Sequence, residues 1–343
     1  MAKCNVTIAL KGGVTEYRVG DKVEGVVVVS VDKECDCNEL SIKKFWQTHG
    51  QGDKSKGEPE KITLYKGVWQ PGEYRYDFAF ELLEEPVSYQ GKYINIDWYL
   101  KAQADTPWAM DPKAEQDFLL VSNPDKPCRA NHEIDSMMDS MNKTDDFAEM
   151  VSQNSTMKKI ALSILGGVML LPAFFIYSGW QSGHFAEIGF GLVALFFVLR
   201  MAWRVIKPAL AGKKLGSVDC VLNKQEFYGG EYIEVSVKFL PPEDVSINEV
   251  VAKLILTEKS ISGSGTNKRT YTYDYPHGEV KLSGQRMLNA GSIFSGAARI
   301  KLSDKLMHSF HRGSNSLSWA VVFEIDIQNW PDWERAERIR VLN

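Results

Sequence analysis

Three short patterns in the sequence carry residue types that could do chemistry. Gly263–Lys268 reads Gly-Ser-Gly-Thr-Asn-Lys, which is superficially like a loop that holds a phosphate group. His308 and His311 are three residues apart, so on a helix they could hold a metal ion together. Cys35 and Cys37 flank a single aspartate and could form half of a site for a soft metal.

Each pattern lacks the second element that its chemistry requires. A phosphate loop lies between a strand and a helix, whereas Gly263–Lys268 joins two predicted strands and is interpreted as a hairpin tip. The two histidines fall in a predicted turn, where surface histidines are the simpler interpretation. No second cysteine pair follows at zinc-site spacing, and there is no nucleophile elbow or zincin motif. We therefore predict no enzyme activity, no catalytic residues, no cofactor and no metal site.

Cysteine usage and charge narrow the choice of compartment and partner. The five cysteines are scattered and odd in number, which is not a disulfide framework and favours reduced thiols in the cytoplasm. The net charge of −4 provides no basic stripe, so we predict that nucleic acid is not a partner. Residues 1–10 lack the pattern of a cleaved signal peptide.

Two apolar runs lie near the middle of the chain. Residues 160–180 include no charged side chain, and 185–203 is interrupted only by Glu187 and Arg200. At about 1.5 Å per helical residue, the first run is roughly as long as a bilayer core is thick. We predict a transmembrane helical hairpin over 158–207, with a lipid bilayer as partner. The residues predicted to be membrane-embedded are Leu165, Leu170, Phe174, Phe175, Leu192, Leu195, Phe196 and Phe197.

Basic residues around the hairpin predict its orientation. None lies in the loop 181–184, whereas several flank the two runs, so the positive-inside rule places both termini in the cytoplasm. The residues predicted to lie at the membrane interface or to set the topology are Lys158, Lys159, Trp180, Arg200, Trp203, Arg204 and Lys207. We thus predict a two-pass integral membrane protein of a bacterial inner membrane. A buried hairpin in a soluble protein is the alternative. The small-residue spacing of Ser163 and Gly167 also permits self-association through the hairpin.

The remaining sequence alternates as β-strands do. Residues 1–122 and 216–343 show apolar residues at every second position with turn residues between the runs, which is typical of antiparallel sandwiches. The acidic, methionine-rich stretch 123–157 fits either a short amphipathic helix or a partly disordered linker. The predicted fold class is an all-β soluble part, made of two tandem immunoglobulin-like sandwiches separated by the hairpin.

The two β segments look like copies of one another. Tyr17 and Gly20 lie 210 residues before Phe227 and Gly230, and later pairs keep an offset of about 220. Trp98 and Trp319 would then be equivalent core tryptophans. A nearly constant offset across several elements indicates an internal duplication.

Residues 85–93 and 96–102, followed by Pro107-Trp108, resemble the arrestin amino-terminal domain, and α-arrestins most of all. In that family a Ser-aromatic-x-Gly turn leads into an aromatic strand that ends in Lys-Ala and then Pro-Trp. The likeness covers roughly 5–121, with a weaker echo over 218–342. It implies two tandem sandwiches and recognition of other proteins. The Pro-Pro-x-Tyr motif of α-arrestins is missing, since Pro241-Pro242 precedes Glu243 and Asp244.

These observations predict a membrane-anchored, cytoplasm-facing arrestin-like adaptor or scaffold, whose partner is a membrane or cytoplasmic protein. Two alternatives belong to other classes. One is an accessory subunit of a membrane enzyme or transporter, with a pocket between the sandwiches. The other is a structural envelope protein.

Overall fold

The computed structural model describes residues 4–83, 86–107, 111–123 and 170–342, although the side chains of 201–209 are not described. The predicted linker 123–157 lies almost wholly outside the described residues, and so do Leu165, Lys158 and Lys159. In the described part the chain is mainly β, with four sheets. This agrees with the predicted all-β fold class.

The first β segment forms two sheets that face each other. Its strands are β1 (Cys4–Leu10), β2 (Glu16–Arg18), β3 (Lys22–Val31), β4 (Cys35–Gly50), β5 (Glu60–Trp69), β6 (Gly72–Glu81), β7 (Tyr89–Gln90), β8 (Ile94–Asp105) and β9 (Lys113–Val121). The smaller sheet has the order β1-β3-β6. The larger has the order β2-β9-β8-β4-β5, with β7 paired to β8.

Alternation explains why these strands build a core. Along β8, Ile94, Ile96, Trp98 and Leu100 are buried, while the residues between them are partly exposed. In β3 the valines 23, 27, 29 and 31 are buried in the same way. Because a strand sends successive side chains to opposite faces, each sheet has one apolar face, and the two apolar faces pack together.

The second β segment repeats this arrangement. Its strands are β10 (Val218–Leu222), β11 (Glu226–Tyr228), β12 (Tyr232–Phe239), β13 (Val245–Ser262), β14 (Arg269–Ser283), β15 (Arg286–Leu288), β16 (Phe294–Lys301), β17 (Phe310–Arg312), β18 (Asn315–Ile327) and β19 (Trp333–Leu342). The smaller sheet is β10-β12-β16, and the larger is β11-β19-β18-β13-β14 with β15 and β17 at its side. In each large sheet a short first strand runs parallel to the last strand: β2 to β9, and β11 to β19.

Two helices separate the sandwiches. The described part of α1 covers 170–182, and α2 is Phe185–Leu215. They pack closely near Gly191, where an added Cβ would lie 2.6 Å from Ile176 and 3.0 Å from the carbonyl oxygen of Pro172. The far end of α2 rests on the second sandwich, because Leu215 is buried and the Trp330 indole donates to the Leu210 carbonyl at 3.1 Å.

Within the described residues, no helix combines the length and the apolarity that crossing a bilayer requires. This finding contradicts the predicted localisation, a two-pass protein of a bacterial inner membrane with both termini cytoplasmic. α2 carries Glu187 and Arg200 in its apolar stretch, with Arg204 and Lys207 following.

The residues predicted to be membrane-embedded lie mostly on the outside of this hairpin. Among those with described side chains, Leu170, Phe174, Leu192, Phe196 and Phe197 are exposed. Phe175 and Leu195 are half-buried. Of the predicted interface residues, Trp180 and Arg200 are exposed, and Trp203, Arg204 and Lys207 lie on α2 in the part whose side chains are not described.

Candidate functional site: the cleft between the sandwiches

Two equivalent turns, residues 86–94 (the first turn) and 307–315 (the second turn), shape the region between the sandwiches. The Trp98 indole N–H donates to the Pro86 carbonyl at 2.8 Å, and the Trp319 indole N–H donates to the Met307 carbonyl at 2.8 Å. Trp319 follows Trp98 by 221 residues, and Met307 follows Pro86 by the same number. The predicted equivalence of the two tryptophans is therefore reproduced in their hydrogen bonds.

A serine fixes each turn to the last strand of its sandwich. Ser88 donates its N–H to the Leu120 carbonyl at 2.7 Å, and its hydroxyl accepts the Leu120 N–H at 3.0 Å. Ser309 and Val341 make the same exchange at 2.8 and 3.0 Å. The structural equivalent of Val341 is thus Leu120, 221 residues earlier.

The first turn docks on Glu258 of the second sandwich. Glu258 is fully buried on β13, where its carboxylate accepts the N–H of Lys92 at 3.0 Å and of Tyr93 at 2.9 Å, as well as that of Ile94. The Tyr275 hydroxyl donates to the same carboxylate at 3.4 Å and accepts the Lys92 N–H at 2.9 Å. The Glu258 side chain therefore accepts most of the hydrogen bonds between the first turn and the second sandwich.

The second turn docks on the first sandwich in the same way. The Asn315 side-chain amide donates to the Asp53 carbonyl at 2.7 Å, to the Thr48 hydroxyl at 3.2 Å and to the Ser55 hydroxyl at 3.3 Å. Phe310 meets the ring of Trp46 edge-on with centroids 5.6 Å apart. Thr48 and Glu258 are 210 residues apart, and Ile94 and Asn315 are 221 apart, so the two contacts are related by the duplication.

A cleft of about 760 Å³ opens between the sandwiches beside the first turn. Tyr89, Leu256, Tyr275 and Met307 contribute apolar or aromatic surface to its lining. Four charged residues line it too, and all are exposed: Glu16 and Arg18 on β2, and Asp304 and Lys305. A concave, largely apolar surface with a few polar groups is the usual form of a binding site.

Two tyrosines, a histidine and a serine supply polar groups to the cleft. Burial above all, and then the Glu258 carboxylate, raise the pKa of Tyr89 and of Tyr275, so both phenols stay protonated at neutral pH. Partial burial lowers the pKa of His277, whose ring lies 4.7 Å from that of Trp319. The Ser88 hydroxyl already accepts a backbone N–H. The lining thus offers hydrogen bonds and aromatic surface.

The two histidines singled out by their spacing do not form a metal site. Both lie around β17 rather than on a helix, and His308 is 1% exposed. The expectation of a surface residue is therefore wrong for His308. Complete burial, and then the charge of Arg340, lower its pKa to about 4, and both ring nitrogens lack a hydrogen-bond partner. His308 occupies the position of Val87 in the first sandwich, 221 residues earlier, where a buried apolar residue stands.

The other two patterns also occupy structural positions. Gly263–Lys268 connects β13 to β14, as the hairpin-tip interpretation predicted. Cys35 and Cys37 are buried in the first sandwich beside Cys4, and burial raises the pKa of Cys4 to about 11 and of Cys37 to about 12. Thiols held in the protonated form are poor metal ligands and nucleophiles. Among the described residues, no cluster of His, Cys, Asp and Glu could hold a metal ion.

Sequence reasoning missed Glu258, although a signal for it was present. Leu254 and Leu256 point into the core from β13, so position 258 shares their face by the period of two. A carboxylate on the apolar face of a strand is unusual unless it has partners. That pattern indicates that Glu258 has hydrogen-bond partners, but it does not show that these partners belong to the other sandwich.

Comparisons with known proteins support part of the resemblance. The family model of the arrestin (or S-antigen) N-terminal domain matches residues 47–126. The chain is arrestin-like there. The match includes the first turn and β8, which carry the motif residues quoted above. A hairpin that spans a membrane between the two domains is not supported by the described residues.

A solved structure shows a weaker likeness. Spo0M, a sporulation control protein from Bacillus subtilis, is 17% identical with a TM-score of 0.31. The alignment covers 36% of this chain and 48% of Spo0M, so the chain spans about half the length of that protein. Comparison with curated proteins gave no match.

Proposed function

We propose that this protein is an adaptor or scaffold that binds another protein in the cleft between its sandwiches. The observation that carries the proposal is the cleft itself, with aromatic and apolar side chains on its lining and the exposed charged residues Glu16, Arg18, Asp304 and Lys305 beside them. Tyrosine and arginine are the residues most enriched where a few contacts dominate the binding of one protein to another.

The chemistry of the lining favours binding over catalysis. A hydrolase or transferase of the usual kind places a nucleophile within hydrogen-bond reach of a base. In the cleft, the Ser88 hydroxyl accepts the Leu120 N–H, and His277 lies against the Trp319 ring. The two tyrosines keep their protons at neutral pH because burial raises their pKa. These groups suit the recognition of a partner segment.

Rigid walls would make such a site selective. Each sandwich contributes one wall, and the docked turns fix one wall relative to the other through Glu258 and Asn315. A preorganised site loses less conformational entropy when it binds, so a modest contact area gives useful affinity. This fits an adaptor that holds a partner segment without changing it chemically.

The test uses the full chain as bait with a matched pair of variants. Partners are captured from the native host, identified, and then titrated in purified form. The double variant Arg18→Glu and Lys305→Glu should weaken binding of the partner at least about tenfold, since both cations line the cleft. The control, Lys33→Glu with Arg286→Glu, reverses as many exposed charges away from the cleft and should bind as the unaltered chain does.

Two results would overturn the proposal. One is equal binding of the cleft variant and the control variant, which would move the site to another surface. The other is turnover of a substrate by the isolated chain that disappears in Tyr275→Phe. Circular dichroism of both variants ensures that neither result comes from loss of the fold.

A further inference from the structure

Three thiols converge in the core of the first sandwich. Cys4 is the first residue of β1 in the smaller sheet, and Cys35 and Cys37 lie at the start of β4 in the larger sheet. Each of the three residues is no more than 4% exposed. The register of β1 with β3 places Cys4 opposite Val31, and residues 32–34 connect Val31 to Cys35. The fold therefore brings together thiols from both sheets.

The three sulfur atoms have different hydrogen-bond partners. The thiols of Cys4 and Cys35 are hydrogen-bonded to each other. The Cys35 thiol also donates to the carbonyl oxygen of Asp36 at 3.6 Å. The Cys37 sulfur instead accepts the backbone N–H of Glu39. Cys4 and Cys35 are therefore the pair whose sulfur atoms are directed at each other.

Strand geometry separates this pair from the other pairing within β4. A disulfide requires Cβ atoms about 3.5–4.5 Å apart. Cys35 and Cys37 are two positions apart on one strand, so at about 3.3 Å per residue their Cβ atoms are roughly 6.6 Å apart. Cys4 and Cys35 belong to facing sheets, whose inward side chains meet in the core. The geometry therefore favours Cys4 with Cys35 over Cys35 with Cys37.

We propose that Cys4 and Cys35 are a site of reversible disulfide formation, which joins the two sheets of the first sandwich when the chain meets a low-molecular-weight disulfide. The Cys4 thiolate attacks the reagent, which forms a mixed disulfide and releases one small thiol. The Cys35 thiolate then displaces the second small thiol and closes the bond between the two cysteines. The cysteines lose two electrons and two protons in all, and the reagent takes them up as it is reduced to two thiols.

Cys4 is the thiol that reacts with the reagent first. It is the first residue of a strand at the edge of the smaller sheet, and the ends of edge strands open more readily than their centres. Burial above all raises the pKa of Cys4 to about 11, so little thiolate is present at neutral pH and the reaction proceeds over hours. The bridge then ties this end of β1 to β4, which stabilises the folded chain.

Oxidised glutathione tests the pairing on the full chain. Trypsin cleaves after lysine and places Cys4 on the peptide 4–11, and Cys35 with Cys37 on the peptide 34–43. After incubation, mass spectrometry should find these two peptides linked in the unaltered chain, and a reducing thiol should separate them. The midpoint of thermal unfolding should rise when the link forms and return on reduction.

Three alanine variants identify the cysteines that form the link. Cys37→Ala is the matched control and should keep the linked peptides. Cys35→Ala should lower their yield at least about tenfold and leave Cys4 bound to glutathione, because the thiol that closes the bridge is gone. Cys4→Ala should leave the peptide 34–43 free of glutathione. Circular dichroism checks that each variant is folded.

Two results would overturn the proposal. One is the absence of the link in the unaltered chain, whether or not glutathione is bound to Cys4. The other is an equal yield of linked peptides in Cys35→Ala and Cys37→Ala, which would show that the thiols pair without the preference that the fold gives them.

Discussion

The two sandwiches share the hydrogen bonds that build each turn but differ in the residues that face the other sandwich. Trp98 and Trp319 donate to equivalent carbonyls, and Ser88 and Ser309 make equivalent exchanges with the last strand. By contrast, Glu258 stands where the first sandwich has Thr48. The bonds inside each turn are thus the same in both sandwiches, whereas the residues through which each turn contacts the other sandwich differ.

The divergence extends to the core beside each turn. Val87 and His308 occupy equivalent buried positions, but only the second carries polar atoms, and both of its ring nitrogens are unpaired. An unpaired buried imidazole lowers stability relative to an apolar residue. The second turn is therefore the less stable of the two in acid.

The largest effect should come from the equivalent tryptophans. Trp98→Ala and Trp319→Ala each remove a side chain that is almost fully buried, together with a hydrogen bond to its turn. Each should lower the free energy of unfolding by about 3–5 kcal/mol. Urea unfolding of the full chain measures both. Costs that differ by more than about 2 kcal/mol would show that the turns are not supported in equivalent ways.

The next effect is a pH dependence of stability that His308 has and that Val87, its equivalent in the first sandwich, lacks. The pKa of His308 is about 4 in the folded chain, against 6.5 for the free side chain, so the unfolded chain takes up the proton first. The free energy of unfolding is not reduced by protonation of His308 above about pH 7, and it decreases as pH falls from 6.5 to 4. The total loss is about 3 kcal/mol.

His308→Val, which copies the first sandwich, should remove that pH dependence. The comparison is the free energy of unfolding at several values between pH 7 and pH 4 for both chains, because all other titrating groups are common to them. Parallel curves would contradict the assignment of this acid sensitivity to His308.

A smaller effect should come from the two serines. Ser88→Ala and Ser309→Ala each leave a backbone N–H of the last strand without its side-chain acceptor. Each change should cost about 1–2 kcal/mol, and the two costs should agree to about 0.5 kcal/mol. Amide exchange at Leu120 and Val341 checks the prediction at the affected bonds. A loss of stability in only one of the two variants would show that the two serines do not have equivalent roles.

Much of the β architecture could be predicted from the sequence because alternation fixes which side chains face inward. Ile94 to Leu100 and Leu317 to Ile327 alternate as core strands do, and the structure buries their inward residues. The offset between Trp98 and Trp319 pointed to the duplication for the same reason. These are local or periodic signals, which one sequence carries in full.

Local patterns did not predict the contacts beside the cleft, and they led to a membrane prediction that is wrong. Glu258 is adjacent to the first turn only through tertiary packing, across 164 residues of sequence from Ile94. His308 was assigned to the surface because turns are usually exposed, but its neighbour Ser309 is hydrogen-bonded to Val341 of β19 and the His308 side chain is buried. The length and composition of the two apolar runs predicted transmembrane helices, yet the described residues contain no helix suited to cross a membrane.

The most direct test of the central claim, that the docked turns hold two walls of one cleft in a fixed relation, is a distance across the cleft. Spin labels at Glu16→Cys and Lys305→Cys, both exposed lining positions, can be read by pulsed electron resonance with Cys128 and Cys220 replaced by serine. A single narrow distance distribution that broadens in Glu258→Ala is the expected result. A broad distribution in the chain with Glu258 intact would contradict the claim.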